Sequence, residues 1–189
     1  LIERDNIKYA IRWTGHEPTF ELIALYLMGK AKNVYEFIEA QKYFMVPAQN
    51  TVIADDQGNI AYYPAGKYPI RSPVPIIVKD GVKILNYGFL PFNGSNGEGE
   101  WSSYTPFEEI PHVINPKRGF IVTANNAPVP IDFKYYIGWR WADRYRHDRI
   151  LNMIVEILKA KGKVSIEDIK NIQRDITSLD AMIILPLLL

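Results

Sequence analysis

Few side chains in this sequence stand where their type and spacing could do chemistry. Asn125 and Asn126 close the run GFIVTA (119–124), Arg144 and Arg146 follow in WADRYRHD, and His16, His112 and His147 lie in separate segments. An asparagine amide fixed at a strand end is a pre-oriented donor of the kind an oxyanion needs. The simpler reading of the pair, directly before Ala127 and Pro128, is a turn. Arg144 and Arg146 fall in the first turns of an expected helix, where the macrodipole disfavours cations, so something must offset their placement. An Arg144–Asp148 pair at i,i+4 is the local explanation; in that orientation it contributes roughly a few tenths of a kcal/mol.

Other chemistries are excluded or poorly supported. Cysteine is absent, which removes disulfides, thiolate metal sites and a Cys nucleophile. The three histidines have no metal-ligand spacing and read as structural. No acidic pair at a recognisable spacing points to glycoside hydrolysis. The 22 Lys and Arg residues against 21 Asp and Glu create no global field to attract a nucleic acid or an anionic membrane. Apolar residues at 48% and charged residues at 23% are a globular balance. The chain opens at Leu1 with no signal-peptide pattern, so a segment upstream is expected. Its last residues, IILPLLL (183–189), are too short a run to span a bilayer and are expected to continue into a core or to be covered by another copy.

The elements that must position these residues follow from periodicity. Pro18 to Leu27 places Phe20, Ile23, Ala24 and Leu27 on one helical face, and Asn33 with Glu36 announces a second helix, making a helical pair over about 18–46. TVIADDQGNIAYYPAG reads as a β-hairpin turning at Asp55–Asn59. Residues 64–119 hold most of the prolines and glycines and read as long loops with short strands, and Gly119–Ala124 is expected to be a buried strand. A helix is expected from Ala142 to about Lys159 with Ile150, Ile154 and Leu158 inward, and Ser165 with Asp168 signals another. Together these predict an α+β chain forming one partial domain over 1–189: helical pair, a β and loop region over about 50–130, and helices over about 142–185.

Four phrases, YAIRWTGHEP, ADDQGNIAYYPAGKYPIR, EEIPHVINPKRGFIVTANNAP and GWRWADRYRHDRI, resemble in this order β-chain segments of penicillin amidases and related acylases, from about residue 9 to about residue 185. The resemblance implies part of a four-layer αββα N-terminal nucleophile hydrolase. Such enzymes cleave N-acyl bonds with a Ser exposed at the β-chain N-terminus by self-cleavage, using its own α-amine, of pKa about 7.7–8, as base. Position 1 here is Leu, so the resemblance implies that the nucleophile and the backbone oxyanion donor lie in an earlier segment and that the isolated chain is inactive. It assigns Asn125 as the side-chain oxyanion donor, Asn126 to structure, and Arg144, in WADR, to support of the site near the nucleophile's amine.

Relatives of the family bind calcium, and Asp132 lies near a matching ligand position with a different spacing; the other ligands would come from missing segments. Phe89, Phe92 and Trp101 either line an acyl pocket or pack their own loop. The implied substrate is a penicillin, an acyl-homoserine lactone or a related N-acyl amide. The implied partners are the α chain and the N-terminal part of the β chain, with self-association of the fragment and an extracytoplasmic location as further expectations. The competing reading is a non-catalytic binding or assembly module derived from the acylase fold.

Overall fold

The computed structural model describes residues 2–189. The chain forms two compact units, one running through Ile121 and taking in Ile131–Trp139, the other made of Val122–Pro130 and Arg140–Leu189.

In the first unit β1 (Ile2–Arg4) and β2 (Ile7–Tyr9) form a short hairpin. Helix α1 (Glu21–Lys30) begins three residues after the position expected from Pro18. Its first residue explains the shift: the Glu21 carboxylate accepts the backbone N–H groups of Met45 and Val46 at 3.1 and 2.8 Å, which pins the helix start to the chain beyond the second helix. Helix α2 (Val34–Ala40) starts as its sequence predicts, with Asn33 Oδ1 accepting from the N–H groups of Tyr35 and Glu36 at 3.0 and 2.9 Å. Glu36 reaches back to the Lys32 N–H at 2.9 Å, a variant of the capping box.

The hairpin of β3 (Gln49–Ala54) and β4 (Ile60–Ala65) is antiparallel over its whole length. Asp55 closes its turn by accepting from Gln57 and Asn59, with Gly58 at φ 87° taking the left-handed position that glycine adopts at no steric cost. The second Asp55 oxygen accepts the Val34 N–H at 3.3 Å, tying the turn to the start of α2. Strand β5 (Pro69–Arg71) is followed by the β6–β7 hairpin (Ile76–Lys79 and Val82–Leu85) and by β8 (Trp101–Tyr104), which returns to pair with β5. Strand β9 (Val113–Ile114) adds to β4, giving the order β3-β4-β9. Val34 and Ile38 of α2 pack on Ile53, Ala61, Tyr63 and Ala65 of that sheet, with Tyr68 and Ile110 completing the core.

The expected strand at Gly119–Ala124 is not formed. Those residues belong to no sheet, because no strand of the described residues runs beside them to complete a ladder. A β-rich composition supplies suitable side chains, but a strand exists only with a hydrogen-bonding neighbour.

The second unit is built on helix α3 (Tyr145–Lys161), which starts three residues later and ends two residues later than the 142–159 expected. Gly162 ends it at φ 71°, its N–H returning to the Leu158 carbonyl. Helix α4 (Ile166–Arg174) carries the full capping box predicted from Ser165 and Asp168. Helix α5 (Leu179–Leu188) takes in most of the terminal apolar run and tolerates Pro186 in its last turns, where little of the i to i−4 ladder remains to lose. Its apolar residues from Met182 to Leu189 that are not proline are exposed. Among the described residues no helix is long and apolar enough to cross a membrane.

A bidentate pair braces this unit: Arg149 Nε and Nη2 donate to the two oxygens of Asp175 at 2.6 and 3.0 Å, from α3 to the residue that ends α4. The Arg149 hydrogen bond is the main reason the Asp175 carboxyl is pushed down to about 2 from its ordinary 3.8. A depressed carboxyl contributes stability above its unfolded pKa and loses it as pH falls towards the folded one. The stability difference between the wild type and Asp175→Asn should therefore be full at neutral pH and shrink between about pH 4 and about pH 2, as read from denaturant midpoints across that range.

Candidate active site

The backbone around Asn125 is held from several sides. Asn125 itself sits at φ 63°, in the left-handed region that asparagine tolerates better than other side-chain-bearing residues. Its carbonyl accepts the Ala142 N–H at 2.8 Å. The neighbouring Asn126 turns its amide oxygen back to the Ala124 N–H at 3.1 Å and donates to the Ala127 carbonyl at 3.2 Å, so Asn126 serves the turn. Asn125 itself is exposed.

The side chain of Asn125 faces an arginine from the first turn of α3. Arg146 Nη2 donates to Asn125 Oδ1 at 2.9 Å and to the Ala124 carbonyl at 3.0 Å. These two acceptors offset the unfavourable position of a cation at a helix N-terminus. Arg144 is engaged differently. It is the residue just before the helix, and its guanidinium donates to Asp148 Oδ1 at 3.1 Å in the i,i+4 pair that the spacing allows. Asp148 Oδ1 also takes the Nδ1 hydrogen of the buried His147 at 2.8 Å. The His147 hydrogen bond first, and then that of Arg144, hold the Asp148 carboxyl below its ordinary value against the desolvation that opposes them. The structure therefore brings Arg146, rather than Arg144, against Asn125. The sequence signal for it was the pair of cations at a helix start, which called for acceptors without saying which arginine would find them.

The sequence model of the penicillin amidase family matches residues 1–189. The chain belongs to the penicillin amidase family. It is 30% identical over 151 residues to penicillin acylase 2 proenzyme of Pseudomonas sp. strain SE83, covering 80% of this chain and 17% of that protein. It is 34% identical over 143 residues to penicillin G acylase of Escherichia coli, covering 74% of this chain and 15% of the relative. With acyl-homoserine lactone acylase QuiP of Pseudomonas fluorescens strain Pf0-1 it shares 26% identity over 132 residues, 70% of this chain and 15% of that one. The chain thus spans 15–17% of the length of these curated relatives. The solved thermostable penicillin G acylase from Alcaligenes faecalis superposes with a TM-score of 0.53 at 26% identity, over 81% of this chain and 25% of that structure. The mixed α and β elements are therefore those of an N-terminal nucleophile hydrolase.

The other candidate residues of this penicillin amidase family member are placed as follows. Asp132 is exposed, and among the described residues no group of three or more His, Asp or Glu side chains is arranged to hold a metal. Calcium takes roughly six to eight oxygen ligands, so Asp132 and its surroundings do not by themselves make a calcium site. Phe92 lies under Gly88 and Gly99, Phe89 meets Trp139 at 6.2 Å, and Trp101 carries the Arg12 guanidinium 4.4 Å above its ring. Phe92 thus packs its own loop, while Phe89 and Trp101 are covered by residues from elsewhere in the chain. His112 Nδ1 donates to the Ile110 carbonyl at 2.7 Å, and His16 packs edge-on against Trp13.

The left-handed backbone at Asn125 sets a stability test. Asn125→Gly should stay within about 0.5 kcal/mol of the wild type in denaturant unfolding, whereas Asn125→Val should lose about 1–2 kcal/mol. Equal losses would show that the contact with Arg146, rather than the backbone, sets the energetics here.

Proposed function

We propose that this chain is a segment of an acylase that hydrolyses N-acyl amide bonds with an N-terminal Ser, and that Asn125 donates a side-chain N–H to the oxyanion of the tetrahedral intermediate. One observation carries the reading. The Asn125 amide is oriented by its oxygen, and its nitrogen donates to no other group among the described residues while the residue itself is exposed. A fixed, unspent donor at an accessible position is what transition-state stabilisation requires, since it costs no reorganisation when charge develops.

In this reading the Ser hydroxyl, supplied by a segment outside these 189 residues, attacks the amide carbon while its α-amine takes the proton. Charge builds on the carbonyl oxygen, where Asn125 Nδ2 and a backbone N–H from the same outside segment meet it. The proton passes to the leaving amine as the C–N bond breaks, and water then hydrolyses the acyl-enzyme by the reverse sequence of proton transfers. The family resemblance gives Arg144 a supporting role in this reading, and its guanidinium is held at the start of α3 by Asp148. Penicillins and acyl-homoserine lactones are the substrate classes suggested by the names of the relatives. The rest of the acylase, in this reading, also covers the exposed apolar residues of α5.

The test uses the full acylase that contains this chain, assayed on a chromogenic phenylacetyl amide and on a long-chain acyl-homoserine lactone. Asn125→Gly should lower kcat on the preferred substrate by about 10² to 10³ with an unchanged unfolding midpoint, the ordinary cost of one oxyanion donor. Unchanged kcat would remove Asn125 from the site. Residues 1–189 produced alone should leave both substrates intact, and hydrolysis by them would place the nucleophile inside this chain.

A further inference from the structure

We infer that Arg146 is the positioning residue of the oxyanion site: it selects which end of the Asn125 amide is presented to the substrate. This rests on the reading of Asn125 as an oxyanion donor, and goes beyond it by assigning a residue that the family resemblance does not.

The argument begins with what a guanidinium can and cannot do. It carries N–H donors and no acceptor, and it stays charged at any pH a protein survives. A primary amide against it must therefore turn its oxygen inward and its NH2 group outward. With Arg146 Nη2 2.9 Å from Asn125 Oδ1, the donor end of Asn125 is the end left free. Without that contact the amide could flip about its last torsion and present an acceptor, which would repel an oxyanion.

The contact is also anchored. The same Nη2 donates to the Ala124 carbonyl at 3.0 Å, so one nitrogen spans a main-chain and a side-chain acceptor on consecutive residues. Arg146 rides on the first turn of α3, a 17-residue helix, which is a stiffer mount than a loop. The Ala142 N–H fixes the Asn125 carbonyl just before that helix, and Asn126 fixes the Ala124 N–H. The remaining freedom at Asn125 is in its side chain, and Arg146 removes it. Arg146 has no carboxylate partner among the described residues, unlike Arg144, whose charge is met by Asp148. No anion among the described residues therefore competes with the amide oxygen for this guanidinium, and the charge-assisted hydrogen bond it donates polarises the amide toward a better N–H donor.

A double-variant cycle in the full acylase tests this. Arg146→Ala should lower kcat about ten- to a hundredfold with little change in KM, the scale expected when a reacting group is misplaced rather than removed. Adding Arg146→Ala to Asn125→Gly should lower kcat no further, because a positioning residue has nothing to position once the amide is gone. Arg146→Lys keeps the charge and a donor and should recover part of the loss. It also serves in the cycle if the alanine variant does not fold or mature. If the two changes multiply independently, or if both Arg146 variants retain wild-type kcat, the positioning role is overturned while the oxyanion role of Asn125 stands. If Asn125→Gly alone keeps wild-type kcat, the oxyanion reading falls and this inference falls with it.

Discussion

A primary amide has two ends of similar size and opposite hydrogen-bonding character, and nothing in its own shape says which end should face outward. At Asn125 the choice is made by a group that can only donate. Arg146 takes the oxygen of Asn125, and the rest of the local structure is arranged so that the two meet. The left-handed backbone at Asn125, the Ala142 N–H on its carbonyl and the start of α3 at Tyr145 all act on that one contact. Moving the helix start by one residue would rotate Arg146 by about 100° around the helix axis and break it.

The two arginines at the start of α3 show how neighbours in sequence acquire different work. Arg144 lies over the Asp148 carboxylate, which also holds His147, so its charge is partly neutralised and its fork is occupied. Arg146, two positions on, points about 200° away around the helix and finds the carbonyl of Ala124 and the amide of Asn125. Both are exposed, and neither placement would be favoured by the helix alone. What separates them is the identity of the acceptor each reaches: a carboxylate on the same helix or neutral oxygens on a turn brought from earlier in the chain.

Much of the scaffold was legible because it is local. Asn33 and Ser165 cap the helices they were expected to cap, since the side chain and the N–H groups it serves are two or three residues apart. The hairpin from Gln49 to Ala65 follows from two β-rich runs and an Asp-containing turn, with the same locality. The run GFIVTA misleads for the complementary reason: its composition suits a strand, but a strand needs a partner from elsewhere in the chain, and none of the described residues supplies one. The start of α1 was displaced likewise, by Glu21 reaching to Met45 and Val46 more than twenty residues on.

By itself the sequence determined the family, the α and β content, and the caps and turns, because each is written in short-range patterns or in motifs held in order. Tertiary structure alone decided how the Asn125–Asn126 pair divides its tasks and which arginine attends to Asn125. Those outcomes depend on contacts across twenty-one and twenty-two residues, from Arg146 to Asn125 and Ala124, whose geometry is set by where a helix begins and how a turn is clamped. Spacing can announce that a cation at a helix start needs acceptors; only the folded chain brings those acceptors to it.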